Sequence, residues 1–192
     1  MTNALWYVAR GTGVVTLVLL SVVVALGIAT RSARPVFGLP RFAVVWVHRS
    51  ASLLALVFLA IHVITMLLDP FAPLRLLDVL LPFAGPYRSF WLGLGTIAAE
   101  LLVAVLVTSL LRQRIGVRAW RFVHWAAYLS WPVAVAHGLG TGTDNGTVWL
   151  WTITGCCVGL VLACVCWRLS DGFTTRPRVH LTDRTDQLAG VR

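Results

Sequence analysis

Apolar runs of about 18 residues or more recur along this chain and constrain its fold more than any other feature. The sequence is 58% hydrophobic and only 12% charged, which is roughly half the charged share of a soluble domain. Runs of this length are typical of transmembrane helices. We therefore predict an all-α membrane protein, a five-transmembrane helical bundle. Its spans are predicted at about residues 5–29, 42–68, 90–111, 119–138 and 147–168.

The segment between the second and third spans differs from the rest. Residues 69–89 contain four prolines and one glycine around an apolar patch that is too short to cross a bilayer. Arg75 and Asp78 lie three residues apart in this patch, which favours a short interfacial helix between helices 2 and 3. We thus predict one membrane domain over residues 1–168 and a flexible polar tail over 169–192.

The net charge of +9 is explained by membrane topology. The arginines lie between the apolar runs, so we predict contact with membrane lipid and no binding of nucleic acid. Arginines concentrate in the first and third loops and in the tail, which predicts a cytoplasmic C-terminus and an outer N-terminus in a multi-pass plasma-membrane protein. The second and fourth spans then run in the same direction.

Four histidines lie inside these two spans, in two pairs. His48 and His62 are fourteen residues apart, and His124 and His137 are thirteen apart. A neutral imidazole is a good axial ligand for haem iron and is costly to leave unpaired in lipid. Under the predicted topology, His48 and His124 lie near the inner face, and His62 and His137 near the outer face. The pattern predicts two stacked haems that carry electrons across a membrane.

Helical geometry supports the first pair more than the second. Fourteen residues rise ~21 Å and turn to within about 40° of four full turns, so His48 and His62 share one face. Thirteen residues fall about 140° short of four turns in a straight helix. Pro132 lies between His124 and His137 and can kink a helix, but the spacing alone does not bring this pair onto one face.

The motifs His48-x13-His62 and His124-x12-His137 resemble the ferric reductase-like transmembrane domain. That family includes the haem domains of NADPH oxidases and ferric reductases and the haem subunit of methionine sulfoxide reductase systems. The chain is most similar to short, stand-alone actinobacterial members. The similarity covers about residues 5–168, and Arg49 after His48 matches a basic residue often seen there. The resemblance implies two b-type haems, one held by His48 and His124 and one by His62 and His137, and it accounts for the x12 spacing.

The sequence lacks a Gly-x-Gly-x-x-Gly motif on a strand–helix unit, whereas many family members continue into FAD and nicotinamide domains. We therefore expect an oxidoreductase component that depends on a separate flavoprotein, with FAD or FMN, or on a quinol as electron donor. The expected extracytoplasmic acceptor is ferric iron, oxygen or a partner protein. No residue is assigned a catalytic role.

Five further residues are candidate site residues. Arg10, which lies beside Gly11 and Gly13, is predicted to pair with a haem propionate, and so are two arginines near the inner histidines, Arg49 and Arg121. Glu100 lies in the middle of the third span, where an acid is costly, and is a candidate proton or quinone site. Trp131 lies midway between His124 and His137 and is a candidate aromatic group between the haems.

Two other functions compete with this reading. A quinone-linked cytochrome b subunit of a larger reductase would keep the haems and change the partner. A haem-free membrane scaffold or proton carrier would use Glu100 as its central group, but such a protein has no need for four paired histidines.

Overall fold

The computed structural model describes residues 4–32, 38–70, 74–141 and 146–170, and every regular element of more than one residue in these ranges is a helix. The predicted tail falls outside the described residues from position 171 onward. The helices are α1 (Ala4–Ala29), α2 (Arg41–Leu68), α3 (Leu76–Leu80), α4 (Ser89–Leu110), α5 (Arg112–His124), α6 (Ala126–Thr141) and α7 (Val148–Leu169).

Four of these helices, α1, α2, α4 and α7, are long and apolar enough to cross a membrane. They correspond to the first, second, third and fifth predicted spans. The predicted fourth span is instead divided between α5 and α6 at Trp125, so it does not form one helix. A crossing by this broken segment, and with it the five-span bundle, stays a prediction.

The backbone departs from a regular α-helix at two points in this segment, at Gly116 and near Trp125. Gly116 adopts φ 81° and ψ 160° within α5, a conformation that glycine reaches at little cost and that interrupts the helix. Nine residues later, the backbone N–H of Trp125 donates to the carbonyl of Phe122 at 3.2 Å, and Tyr128 N–H donates to Trp125 O at 3.0 Å. These bonds span three residues each, so the chain is wound more tightly here than in an α-helix.

The α1 helix lies at the centre of the packing, in contact with α2, α6 and α7, while α4 packs on α5 and α6. Leu20, Val24 and Ile28 of α1 meet Trp131 of α6 and Val161 of α7 in the apolar core. The indole N–H of Trp131 donates to Ser21 Oγ at 2.8 Å inside this core, which satisfies two polar groups that have no access to water.

The short helix α3 falls within the predicted 69–89 segment and is fastened to α4. Thr96 Oγ1 donates to the carbonyl of Asp78 at 2.9 Å, and Gly93 leaves room for the ring of Phe83, which a Cβ atom would overlap. The α3 segment therefore covers one face of α4. Its placement at the membrane surface remains a prediction.

The outer faces of the helices suit a lipid environment. Large apolar side chains such as Phe42, Phe122 and Val148 are exposed, which is unusual for a soluble monomer. Hydroxyl groups within the helices bond back to carbonyls one turn earlier, as Thr16 does to Thr12 O at 2.7 Å and Thr65 to Ile61 O at 2.7 Å. Such bonds satisfy polar groups without water.

Candidate functional site

The four predicted histidines meet in two pairs. The ring centres of His48 on α2 and His124 at the end of α5 are 6.5 Å apart, with an angle of 72° between the ring planes. Those of His62 on α2 and His137 on α6 are 6.4 Å apart, at 79°. The predicted partners are therefore adjacent in space.

Each separation fits one metal ion between two imidazoles. An imidazole nitrogen binds a metal at ~2.0–2.1 Å and its ring centre lies about 1.1 Å further away, so two opposed ligands have ring centres about 6 Å apart. Among the described residues, no group of three or more His, Cys, Asp or Glu side chains could hold a metal ion. Each pair therefore supplies two imidazoles, a number of protein ligands that fits a b-type haem iron.

Three of the imidazoles are oriented by backbone carbonyls. His48 Nδ1 lies 3.1 Å from Val23 O, His62 Nδ1 lies 2.7 Å from Ala9 O, and His137 Nδ1 lies 2.9 Å from Trp91 O. A carbonyl only accepts, so Nδ1 must carry the proton and Nε2 is left free to bind a metal. A hydrogen bond on the far nitrogen is typical of metal-binding histidines.

The same three rings pack against glycines of a neighbouring helix. A Cβ atom on Gly13 would lie 3.0 Å from His62 Cε1, one on Gly27 would lie 3.4 Å from His48 Cε1, and one on Gly95 would lie 2.5 Å from His137 Cε1. Gly13, which lies three residues after the candidate Arg10, therefore admits the imidazole of His62. Gly27 and Gly95 were not predicted as site residues.

The sequence does contain a signal for two of these contacts. Gly13 and Gly27 are fourteen residues apart, as His48 and His62 are. Because α1 and α2 are consecutive and packed together, equal spacing lets each glycine face one histidine. Gly95 has no such counterpart, and only the tertiary contact identifies it.

His124 is supported differently. Its Nδ1 is buried and has no hydrogen-bond partner among the described residues. Its ring instead stacks on Trp120, with ring centres 4.8 Å apart and an angle of 28° between the planes. Sequence reasoning did not single out Trp120, although it precedes His124 by four residues and so shares its helix face.

The three candidate arginines occupy different surroundings. Arg10 is half-buried, and its guanidinium lies 4.1 Å from the centre of the Trp6 ring. It follows Ala9, the residue whose carbonyl accepts from His62. Arg49 and Arg121 are exposed and adjoin the inner pair in sequence. Their predicted bonds to haem propionates stay predictions.

Glu100 and Trp131 differ in their surroundings. Glu100 is exposed and lies about 140° around α4 from Gly95, the residue that contacts His137. Trp131 is 9% exposed and belongs to the core formed by α1, α6 and α7. Its indole is thus held by packing and by Ser21, and a role between the haems stays a prediction.

A contact that the sequence analysis did not predict lies at the end of the site near His137. Arg88 Nη1 donates to Gly140 O at 3.1 Å, at the end of α6. Trp91 packs directly over Gly140, where a Cβ atom would overlap its ring. Because Trp91 O also accepts from His137, these contacts hold α6 and α4 in register around the outer pair.

Comparison with known proteins identifies a family for this chain. The family model described as ferric reductase like transmembrane component matches residues 12–135. The matched stretch contains His48, His62 and His124 and ends two residues before His137. No curated protein and no solved structure matches the chain.

Proposed function

The chain belongs to the ferric reductase-like transmembrane family, and from that premise we propose that it is a membrane electron-transfer subunit that binds two b-type haems. The inner haem is held by His48 and His124, and the outer by His62 and His137. The observation that supports this most is the matched separation of the two imidazole pairs, 6.5 and 6.4 Å between ring centres.

The chain's own part is to hold the ligands and exclude water. Carbonyl acceptors keep Nε2 of His48, His62 and His137 available, while the glycine contacts restrict rotation of the rings. The pairs are separated by ~21 Å along α2, so they span much of the ~30 Å hydrocarbon core. A haem bound at each pair supplies one-electron redox chemistry, and the protein supplies orientation and electrostatics.

The proposed topology has five crossings, the fourth made by the broken α5–α6 segment. The C-terminus is cytoplasmic, so electrons enter near His48 from a separate flavoprotein or a quinol and leave near His62 to an extracytoplasmic acceptor. The acceptor is ferric iron, oxygen or a partner protein. Arg10, Arg49 and Arg121 are proposed to pair with haem propionates, because arginine forms strong charge-assisted bonds with carboxylates.

A reduced-minus-oxidised spectrum of the purified protein, with haem quantified per chain, tests this proposal. We expect b-type bands and two haems per chain. The double variants His62→Ala/His137→Ala and His48→Ala/His124→Ala should each retain one haem, since each removes both ligands of one pair. Absence of b-type bands when haem is available during expression would contradict the proposal and favour a haem-free scaffold or carrier.

The position of Glu100 favours a second candidate, a quinone-linked cytochrome b subunit. Glu100 is exposed in the middle of α4, a helix long and apolar enough to span a membrane. An ionisable group at such depth in a membrane is costly, so its presence indicates a functional role. An acid on the lipid side can exchange a proton or a hydrogen bond with a quinol that diffuses within the bilayer.

Replacing Glu100 by Gln tests this candidate. If Glu100 accepts the quinol proton, quinol oxidation falls by about 100-fold while the haem spectrum is unchanged, because Glu100 lies away from the ligand pairs. The rate is measured with a soluble quinol analogue. An unchanged rate and pH profile would exclude the proton role.

A further inference from the structure

The four histidines do not receive equal support. Three donate Nδ1–H to a carbonyl and rest against a glycine. His124 has neither contact, since its Nδ1 lacks a partner among the described residues and none of the described glycines has His124 among its nearest neighbours. It is also the last residue of α5, next to the break at Trp125. One ligand of the inner pair is thus held by fewer directional bonds.

Trp120 makes the contact that restrains the ring of His124. Its ring stacks on His124 at 4.8 Å, and its indole N–H donates to Ser109 Oγ on α4 at 3.1 Å. Ser109 in turn donates to Val105 O at 2.6 Å. On the Trp120 ring, the guanidinium of Arg112 lies 4.4 Å from the ring centre. The indole is therefore held by a hydrogen bond and a cation–π contact while it contacts the imidazole.

Support by ring stacking instead of a hydrogen bond has a chemical consequence for His124. A hydrogen bond from the far nitrogen raises the basicity of a histidine ligand and fixes its orientation. Ring stacking restricts rotation but accepts no proton, so His124 remains the weaker donor of the four. A weaker and less restrained ligand is replaced more easily by an external one.

We propose that Trp120 is the positioning residue for His124, and that the inner site has an axial ligand that a small neutral diatomic molecule can displace. This inference rests on the proposed function, because it requires two haems. It assigns an exchangeable coordination position to the inner site only, since both outer ligands, His62 and His137, have carbonyl and glycine support.

The probe is carbon monoxide added to the dithionite-reduced, full-length protein, followed by difference spectra. We expect about one of the two haems to bind carbon monoxide. The variant His62→Ala/His137→Ala, which lacks the outer ligands, should retain this binding, and His48→Ala/His124→Ala should lose it. Binding of carbon monoxide equally to both haems, or to neither, would overturn the inference.

Substitutions around Trp120 test its role without removing a ligand. Trp120→Ala should raise the carbon monoxide affinity of the inner site about tenfold, the scale of effects seen when outer-shell partners are lost. Trp120→Phe keeps an aromatic ring on His124 but loses the hydrogen bond to Ser109 that Ser109→Ala also removes, so both variants should raise the affinity by about threefold, between the unaltered protein and Trp120→Ala. The potential of the inner haem, from redox titration, should move in the same order.

Trp125→Ala is the matched control. Trp125 adjoins His124 in sequence but is 50% exposed and contacts Tyr128 and Arg168. Its loss should leave carbon monoxide binding unchanged. If Trp120→Ala and Trp125→Ala behave alike, Trp120 is not the positioning residue. Failure of the proposed function is distinguishable, since it would remove the b-type bands altogether.

Discussion

At the scale of single residues, the site depends on small groups that admit imidazoles. Gly13, Gly27 and Gly95 carry no charge and no donor atom on a side chain, yet each defines where one ring can lie. In a membrane, close approach of helices through small residues replaces much of the hydrophobic driving force that water provides elsewhere. The rings of three histidines are therefore positioned by the absence of a side chain at these glycines.

Gly95→Ala is the sharpest test of this arrangement. The added methyl would lie 2.5 Å from His137 Cε1, which is too close, so the ring must shift away from Trp91 O. We expect a loss of haem affinity at the outer pair on the order of 10- to 100-fold, measured as haem content per chain. The inner pair should remain occupied.

Gly155→Ala provides the control for that substitution. A Cβ atom on Gly155 meets nothing within 4 Å, and the residue lies on α7, which contributes no ligand. Two haems per chain are expected in this variant. Full outer-haem content in Gly95→Ala would show that the glycine contact does not position His137.

At the scale of elements, the break between α5 and α6 changes the relative rotation of His124 and His137. Straight-helix geometry left His124 and His137 about 140° apart in rotation, and Pro132 was the candidate for a kink. Pro132 lies within α6, where its effect on the helix axis stays a prediction, and a break that was not predicted falls at Trp125. Tighter winding there turns the chain further per residue, which is the direction this pair needs.

The histidines and the groups that orient them lie on different helices. The histidines lie on α2, α5 and α6, while the carbonyls and glycines that orient three of them lie on α1 and α4. Since α1 packs on α2 and α4 packs on α6, each of these two helices orients histidines on the helix that it packs against. His124 is the exception because its support, Trp120, belongs to its own helix.

At the scale of the whole molecule, the arginine distribution predicts a direction for electron transfer. The inner pair lies toward the ends of α1 and α2 that flank the first arginine-rich loop. Positive charge in loops favours the cytoplasmic side, so we expect electrons to enter there.

Labelling of single cysteines tests this orientation. In a variant without the four native cysteines, Ala84→Cys lies between α3 and α4 and Gln113→Cys lies at the start of α5; both native residues are exposed. A membrane-impermeant maleimide should label Ala84→Cys in intact cells and Gln113→Cys only after permeabilisation. The opposite pattern would reverse the proposed topology.

The sequence by itself predicted the family, which the family model confirms, and the four long apolar helices α1, α2, α4 and α7. These properties are local, because a helix advances ~1.5 Å per residue whatever its neighbours are. It also predicted which histidines pair, through the resemblance to the family.

Only the tertiary structure decided how each ring is held. The direction of a side chain after a helix break depends on the rotation per residue summed over the residues before it. A small error in that rotation moves the side chain to another face of the helix. The contacts of Gly95 with His137, of Trp91 O with His137 Nδ1, and of Trp120 with His124 join residues whose relation depends on packing between helices or on local winding. For this reason the sequence predicted four ligands and supported the first pair more than the second, whereas the packing sets His124 alone apart from the other three.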